Sequence, residues 1–394
     1  MDEINAKKSK LALIYMAVIM GLVFSVWNVM LNNFAIERAF FTGSDMGDLH
    51  SVREIPGFLA FSAIFVLLFL REQTFATIAL VLLCLGVLAT GFFPSKYGLI
   101  ATTLLMSIGF HYFETINSSL TLQWLPKKDA PRFLGKVIGY SSIAALLGYG
   151  AVALFSKIFQ FDYVVIYMII GMVGLVMVGH LWWYFPKFET TIPQRKHLFL
   201  KKRYSIYYIL TFLKGARRQI FMVFAAFLLV EKFDYTLTQI TYLFLINKTA
   251  NIFMAPLIGR IIEKIGERRA LTIEYIGLIG IFIGYALVEN ALIAAALYVF
   301  DHLFFAMAIG IKTYFQKIAD QEDIAATASV SFTIDHIASV IIPVSFGYIW
   351  MYDPSLVFYA GAGFAVLSLI ASNLISLSPT PGNEFIWSPK KLQA

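Results

Sequence analysis

Apolar residues along this chain fall in runs of about twenty, each bounded by short stretches of Lys, Arg, Pro, Asp or Asn, and about twenty helical residues cross the ~30 Å of hydrocarbon in a bilayer. The runs predict twelve membrane-spanning helices, at roughly 11–36, 47–70, 74–93, 98–122, 137–157, 162–185, 205–230, 238–259, 270–288, 291–314, 325–349 and 355–377. The first run follows Lys7, Lys8 and Lys10 as a signal peptide would. Its apolar part exceeds the ~7–15 residues of a cleavable segment and no small-residue cleavage site follows, so it is expected to stay in the membrane.

Composition agrees with an all-α membrane fold. Of 394 residues, 59% are hydrophobic and 14% charged, against about 25% charged in an average soluble domain. The single cysteine, Cys84, lies inside an apolar run, which leaves no disulfide framework and no cysteine metal site. The net charge of +7 is topological and does not point to nucleic acid, because the bases alternate between loops. With the amino terminus inside, the inner segments collect nearly all the Lys and Arg and the outer ones only Arg38, Lys96, Lys157 and Lys232. Inside loops retain such residues, so the count is even and both termini are cytoplasmic, as in a bacterial inner-membrane protein. The longest inside segment, 186–204, is basic and Pro-bearing, and reads as a linker between a six-helix half at 1–185 and another at 205–394 that ends in a short tail.

After the eighth run the order is Gly259, Glu263, Lys264, Gly266, Arg268, Arg269. Gly259 permits close helix approach, Glu263 can pair with a base, and Arg268 and Arg269 hold the loop at the membrane surface. This loop resembles the conserved loop motif of the major facilitator superfamily, and with the two-half plan it implies that fold and a secondary transporter. The matching first-half loop, Leu70 to Thr74, has lost the glycines. The fifth run holds Gly135 and Gly139 at GxxxG spacing, a helix-packing signal, but lacks the Gly-Pro signature that proton-driven drug exporters of this superfamily often carry.

Ionisable groups at bilayer depth cost ~2.5–3.5 kcal/mol each, so they call for a partner, a cavity or a function. Run seven holds Lys214, Arg217 and Arg218 at i, i+3 and i+4, expected to share one face. Lys248 follows on run eight, Arg53 and Glu54 lie on run two, and Asn28 and Asn32 on run one. Run four places Glu114 one turn after His111, run ten carries Asp301 and His302, and run eleven Asp335 and His336. The resemblance implies that runs one, four, seven and ten line a central cavity, and each is polar in mid-run. Lys214, Arg217, Arg218, Lys248, Arg53, Asn28 and Asn32 are therefore the expected ligands of an anionic or zwitterionic small solute. The competing reading has the same bases fixed in ion pairs, or in a gate, with Glu54, Glu114, Asp301 and Asp335. Proton coupling requires a group that changes charge in the working pH range, and His111, Glu114, Asp301, His302, Asp335, His336 and Glu54 qualify.

The expected activity is proton-coupled transport by alternating access, with substrate, protons and membrane lipid as partners, no cofactor or metal, and a monomeric chain. A flippase or exporter of an amphiphile, lipid or drug is the alternative. A membrane enzyme lacks support: HExxH, GxSxG and the Walker GxxxxGK[ST] are all absent.

Overall fold

Helix starts follow from side chains that satisfy the first free backbone N–H groups. In the computed structural model, which describes residues 3–41, 43–184, 197, 199–235 and 237–387, the Ser95 hydroxyl accepts from the Gly98 amide at 3.2 Å to open α4. The Asn290 carbonyl oxygen accepts from Leu292 and Ile293 at 2.9 and 3.1 Å to open α10. Asp353 caps α12 through the Ser355 amide at 2.8 Å, with Pro354 in the first turn, where its missing N–H costs nothing.

Twelve helical rods result. They are α1 (Glu3–Ala39), α2 (43–66), α3 (Glu72–Thr90), α4 (Lys96–Trp124), α5 (Ala130–Ala153) and α6 (Tyr163–Tyr184). After the linker come α7 (205–231), α8 (Leu237–Ile265), α9 (Glu267–Leu287), α10 (291–318), α11 (Ile324–Tyr352) and α12 (Pro354–Asn373). Ten of these are long and apolar enough to cross a membrane. The other two are α7, interrupted by Lys214, Arg217 and Arg218, and α8, interrupted by Asn247, Lys248 and Asn251. The linker expected at 186–204 lies, through residue 196 and at 198, outside the described residues.

The rods form two compact units, one of Met1–Leu125, Tyr140–Leu198 and Ala325–Thr333 and one of Pro126–Gly139, Phe199–Ile324 and Ile334–Ala394. In the first, α3 is flanked by α4 and α6. A Cβ at Gly109 of α4 would strike the backbone of Leu83, which shows how near α3 and α4 approach. Cys84 is buried where α6 brings Gly174 against it. In the second, Gly135 meets the Ala255 carbonyl and Gly259 meets that of Pro131, so the glycines read from sequence as packing and motif positions are both points of backbone approach. Ile258, Ile262, Ala270, Met307 and Ile309 form an apolar cluster beside them. Large apolar side chains such as Leu147, Val176, Phe253 and Leu367 remain exposed, as lipid-facing surfaces require.

An antiparallel hairpin, β1 (Ile375–Thr380) and β2 (Asn383–Phe385), follows α12, turning at Gly382 with a positive φ of 88°. The sequence predicts only a short tail there.

Candidate functional site

On α7 the three bases part company. Lys214 and Arg218, four residues apart, lie on one face and both reach Asp335 of α11, at 3.1 and 3.0 Å. Arg217 points elsewhere. Its guanidinium sits 4.4 Å over the Tyr275 ring of α9 and 3.7 Å from Glu274, and it is only 2% exposed. The expectation of a single three-base face is thus corrected: consecutive helical residues diverge by ~100°, and α9 and α11 each capture one of the two arginines. Directly after Gln219 the helix widens into a π turn, Ile220–Ala225. Such turns are frequent at functional positions.

The Lys214–Arg218–Asp335 group keeps some access, with the two bases 20% and 29% exposed. Arg218 also donates to the Ser339 hydroxyl at 3.0 Å, and Gln219 donates to the same hydroxyl at 2.8 Å. Lys312 of α10, just past a short 3₁₀ segment at Ala306–Ala308, is near enough to Lys214 to act on it electrostatically. Two bases therefore hold one carboxylate and a third stands near Lys214, a local surplus of positive charge. His336, buried beside Asp335, can only add to it. Sequence reading missed Lys312, Gln219 and Ser339; the signal for Lys312 was the one Lys or Arg in the run that also carries Asp301 and His302.

Arg217 is near enough to Glu274 and Asp301 to act on both electrostatically, and the two acids, 0% and 1% exposed, act on one another. Glu274 also escaped the sequence reading, although it stands in mid-run on α9. His302, next to Asp301, turns to α8, where Asn251 Nδ2 lies 3.1 Å from its Nε2. Lys248, one turn from Asn251, has no ion-pair partner among the described residues. The two members of the Asp301–His302 pair thus face different neighbours, as the helical turn dictates.

In the first unit Arg53 chelates Glu54 at 2.8 and 3.2 Å. His111 Nε2 lies 3.8 Å from the other Glu54 oxygen, while its Nδ1 is held 2.9 Å from the Ser107 hydroxyl. That hydroxyl in turn donates to the Arg53 carbonyl. Glu114 is half-buried one turn along α4, and Asn28 and Asn32 are exposed on α1. Glu72 is a buried carboxylate with no counterpart in the sequence reading; it accepts from Ser119 at 3.1 Å and Gln123 at 2.9 Å and joins α3 to α4.

The loop motif behaves partly as expected. Gly266 takes a φ of 81° to open α9, a conformation that favours glycine. Arg268 donates to the Ile375 carbonyl of the hairpin at 3.2 Å, and Arg269 is exposed. Glu263 makes no ion pair among the described residues; the buried acid of this loop is Glu267, paired with Lys317 at 2.7 Å. Nearby, Arg203 binds Asp320 at 3.0 Å and Glu384 of β2 at 2.9 Å, and Lys201 binds Asp320 at 3.1 Å and also Asp323. Burial works against ionisation of Asp320, yet Lys201 and Arg203 outweigh it and hold its carboxyl below the usual range.

Both apolar helical units hold buried charges, and the description "Major Facilitator Superfamily" matches residues 11–343 of the chain. The chain belongs to that superfamily. Its fold is similar to that of the E. coli fucose:proton symporter, with a TM-score of 0.76 at 12% identity over 92% of this chain and 97% of that one. A human organic anion transporter is similar to the same degree, 0.76 at 11% identity, covering 93% of this chain and 99% of that one. An outward-facing bacterial homologue of the iron transporter ferroportin scores 0.76 at 12% identity, covering 92% and 98%. No curated protein matches the sequence. At these identities the likeness establishes the fold, that of an integral membrane transporter.

Proposed function

We propose that this superfamily member is a secondary active transporter that carries a small anionic or zwitterionic organic solute by alternating access, coupled to protons. One observation carries the reading: Lys214 and Arg218 both pair with Asp335 in a partly open position, and a third base, Lys312, stands near Lys214. Uncompensated bases at bilayer depth are costly, and an incoming carboxylate or phosphate relieves that cost while gaining charge-assisted hydrogen bonds from the Arg218 fork. Asp335 serves as an internal stand-in that the solute displaces or joins. Lys248 offers a further base. In the first unit, Arg53 binds Glu54 and His111 stands 3.8 Å from it, a grouping offered as the place where a proton is handled there.

The similar structures include proton symporters for fucose and xylose and an organic anion transporter, so the fold accommodates both this coupling and this substrate class. In this reading the chain works as a monomer in a bacterial inner membrane, with six-helix halves at 1–185 and 205–394 and both termini in the cytoplasm.

A thermal-shift screen of the purified protein at two pH values tests the substrate class, since a ligand of the folded state stabilises by mass action. Organic anions are expected to raise the midpoint of the wild type and not of Arg218→Ala. Stabilisation of both proteins by a neutral amphiphile, with no response to anions, favours the flippase or exporter alternative instead.

A further inference from the structure

The opposite charge imbalance lies on the other side of α7. Arg217, Glu274 and Asp301 are 2%, 0% and 1% exposed, so neither an organic solute nor bulk water reaches them. Neither oxygen of Glu274, nor Oδ2 of Asp301, accepts a hydrogen bond among the described residues. Two carboxylates share one guanidinium, which is itself 3.7 Å from Glu274 and occupied on one side by the Tyr275 ring.

No second cation forms an ion pair with either carboxylate among the described residues. On α7 the next base, Lys214, acts on Glu274 electrostatically but makes its ion pair with Asp335. The ionisable groups from α9 and α10 are the phenols Tyr275, Tyr285 and Tyr298. Lys248 of α8 and His302 stand together on a different side of α10 from Asp301. Along its whole length α12, packed against α9, carries no Asp, Glu, Lys, Arg or His. Both carboxylates ionised would leave one negative charge sealed in the bundle without a directly paired base, a state costing several kcal/mol even after relaxation.

We propose that Glu274 and Asp301 form a sealed site that holds one proton, with Arg217 as its fixed counter-charge, and that loading and unloading this site is the coupling event of the second unit. This rests on the transporter reading above, and it assigns Arg217 to proton binding rather than to the solute. A proton fits better than a metal ion. Among the described residues no third Asp, Glu, His or Cys brings a ligand atom within 4.8 Å of both carboxylates, whereas hard cations take about six or more oxygens. The shared proton sits on one carboxyl, which then donates to the other side of the pair directly or through water, while Arg217 holds the remaining carboxylate. Arg217 and Arg218 thereby divide the work of one helix: the first closes a site with one negative charge in excess, the second opens a site with a positive surplus.

Infrared spectroscopy of the full-length protein in lipid tests this without a known substrate, because a protonated carboxylic acid has its own C=O stretching band. The wild type is expected to keep such a band at neutral pH, well above the ~4 at which ordinary carboxylates titrate. Glu274→Gln and Asp301→Asn are each expected to remove or shift it. If every carboxyl titrates near that ordinary value, the site is overturned by the wild type alone, even if a variant fails to fold. A band unchanged in both variants, or one abolished by sodium but not by potassium, also overturns it. Should the band be absent while a solute is still transported, the proton site falls and the transporter reading stands. Should the band be present while transport ignores a pH gradient, the coupling role falls.

Discussion

Arg217 and Arg218 are neighbours in sequence, yet the first lies sealed over the Tyr275 ring at 4.4 Å and the second reaches Asp335 at 3.0 Å with 29% of its side chain exposed. Substitution should separate them. Arg218→Ala is expected to weaken solute binding at least about tenfold, equivalent to ~1.4 kcal/mol, with little change in stability. Arg218→Lys, which keeps the charge but loses the planar fork, should recover part of the loss. Arg217→Ala leaves two buried carboxylates without their base and is expected to lower stability by about 3 kcal/mol, read as a fall in melting temperature.

Among the described residues, Asp335 is the one acid in ion-pair contact with Lys214 and Arg218. Asp335→Asn should therefore destabilise the protein by about 2 kcal/mol, less than a fully buried pair would lose because both bases retain some water. Adding an anionic ligand should restore much of the lost melting temperature, since it replaces the missing charge. Unchanged stability without ligand would contradict the pairing.

Glu384 fastens the hairpin. It is buried, bonds Arg203 at 2.9 Å, and its carbonyl accepts from the Tyr314 hydroxyl at 3.1 Å. Glu384→Ala is expected to cost about 1–3 kcal/mol by leaving that pair half-made, and to expose the segment after Leu374 to limited proteolysis. Protection equal to that of the wild type would contradict a docked hairpin.

Acid should loosen the same end of the unit. The Asp320 carboxyl is held below its ordinary value by Lys201 and Arg203 despite burial. A depressed pKa adds stability above the unfolded value of ~3.9, and this stability is lost as pH falls through the folded value. Melting temperature is expected to fall below about pH 4, and the fall should be shallower in Asp320→Asn.

Much of this was legible in the chain because membrane crossing constrains length and polarity so strongly. All twelve helices lie close to the runs read from sequence, and Gly259 and Gly135 mark backbone approach as their spacing suggested. Pairings were not legible. Sequence offers no means of telling that Arg217 turns to α9 and Arg218 to α11, because that depends on which helices flank α7. Glu274 is the single charge of its run and Lys312 the one Lys or Arg of its own, and the rule that charges at bilayer depth need explanation applied to them as well. Glu267 displaced Glu263 as the paired acid because its position at the opening of α9 brings it to Lys317. The hairpin had a signal in Pro381, Gly382 and Asn383, a turn sequence between Leu377 and Phe385.

Uptake by proteoliposomes under an imposed pH gradient, with a broad panel of labelled organic anions and zwitterions, tests the central claim most directly. At least one of these solutes is expected to accumulate, the accumulation to collapse when the gradient is dissipated, and Arg218→Ala to abolish it. Failure of every such solute to move, or uptake equal in the variant and indifferent to the gradient, would contradict a proton-driven carrier built around Lys214, Arg218 and Asp335.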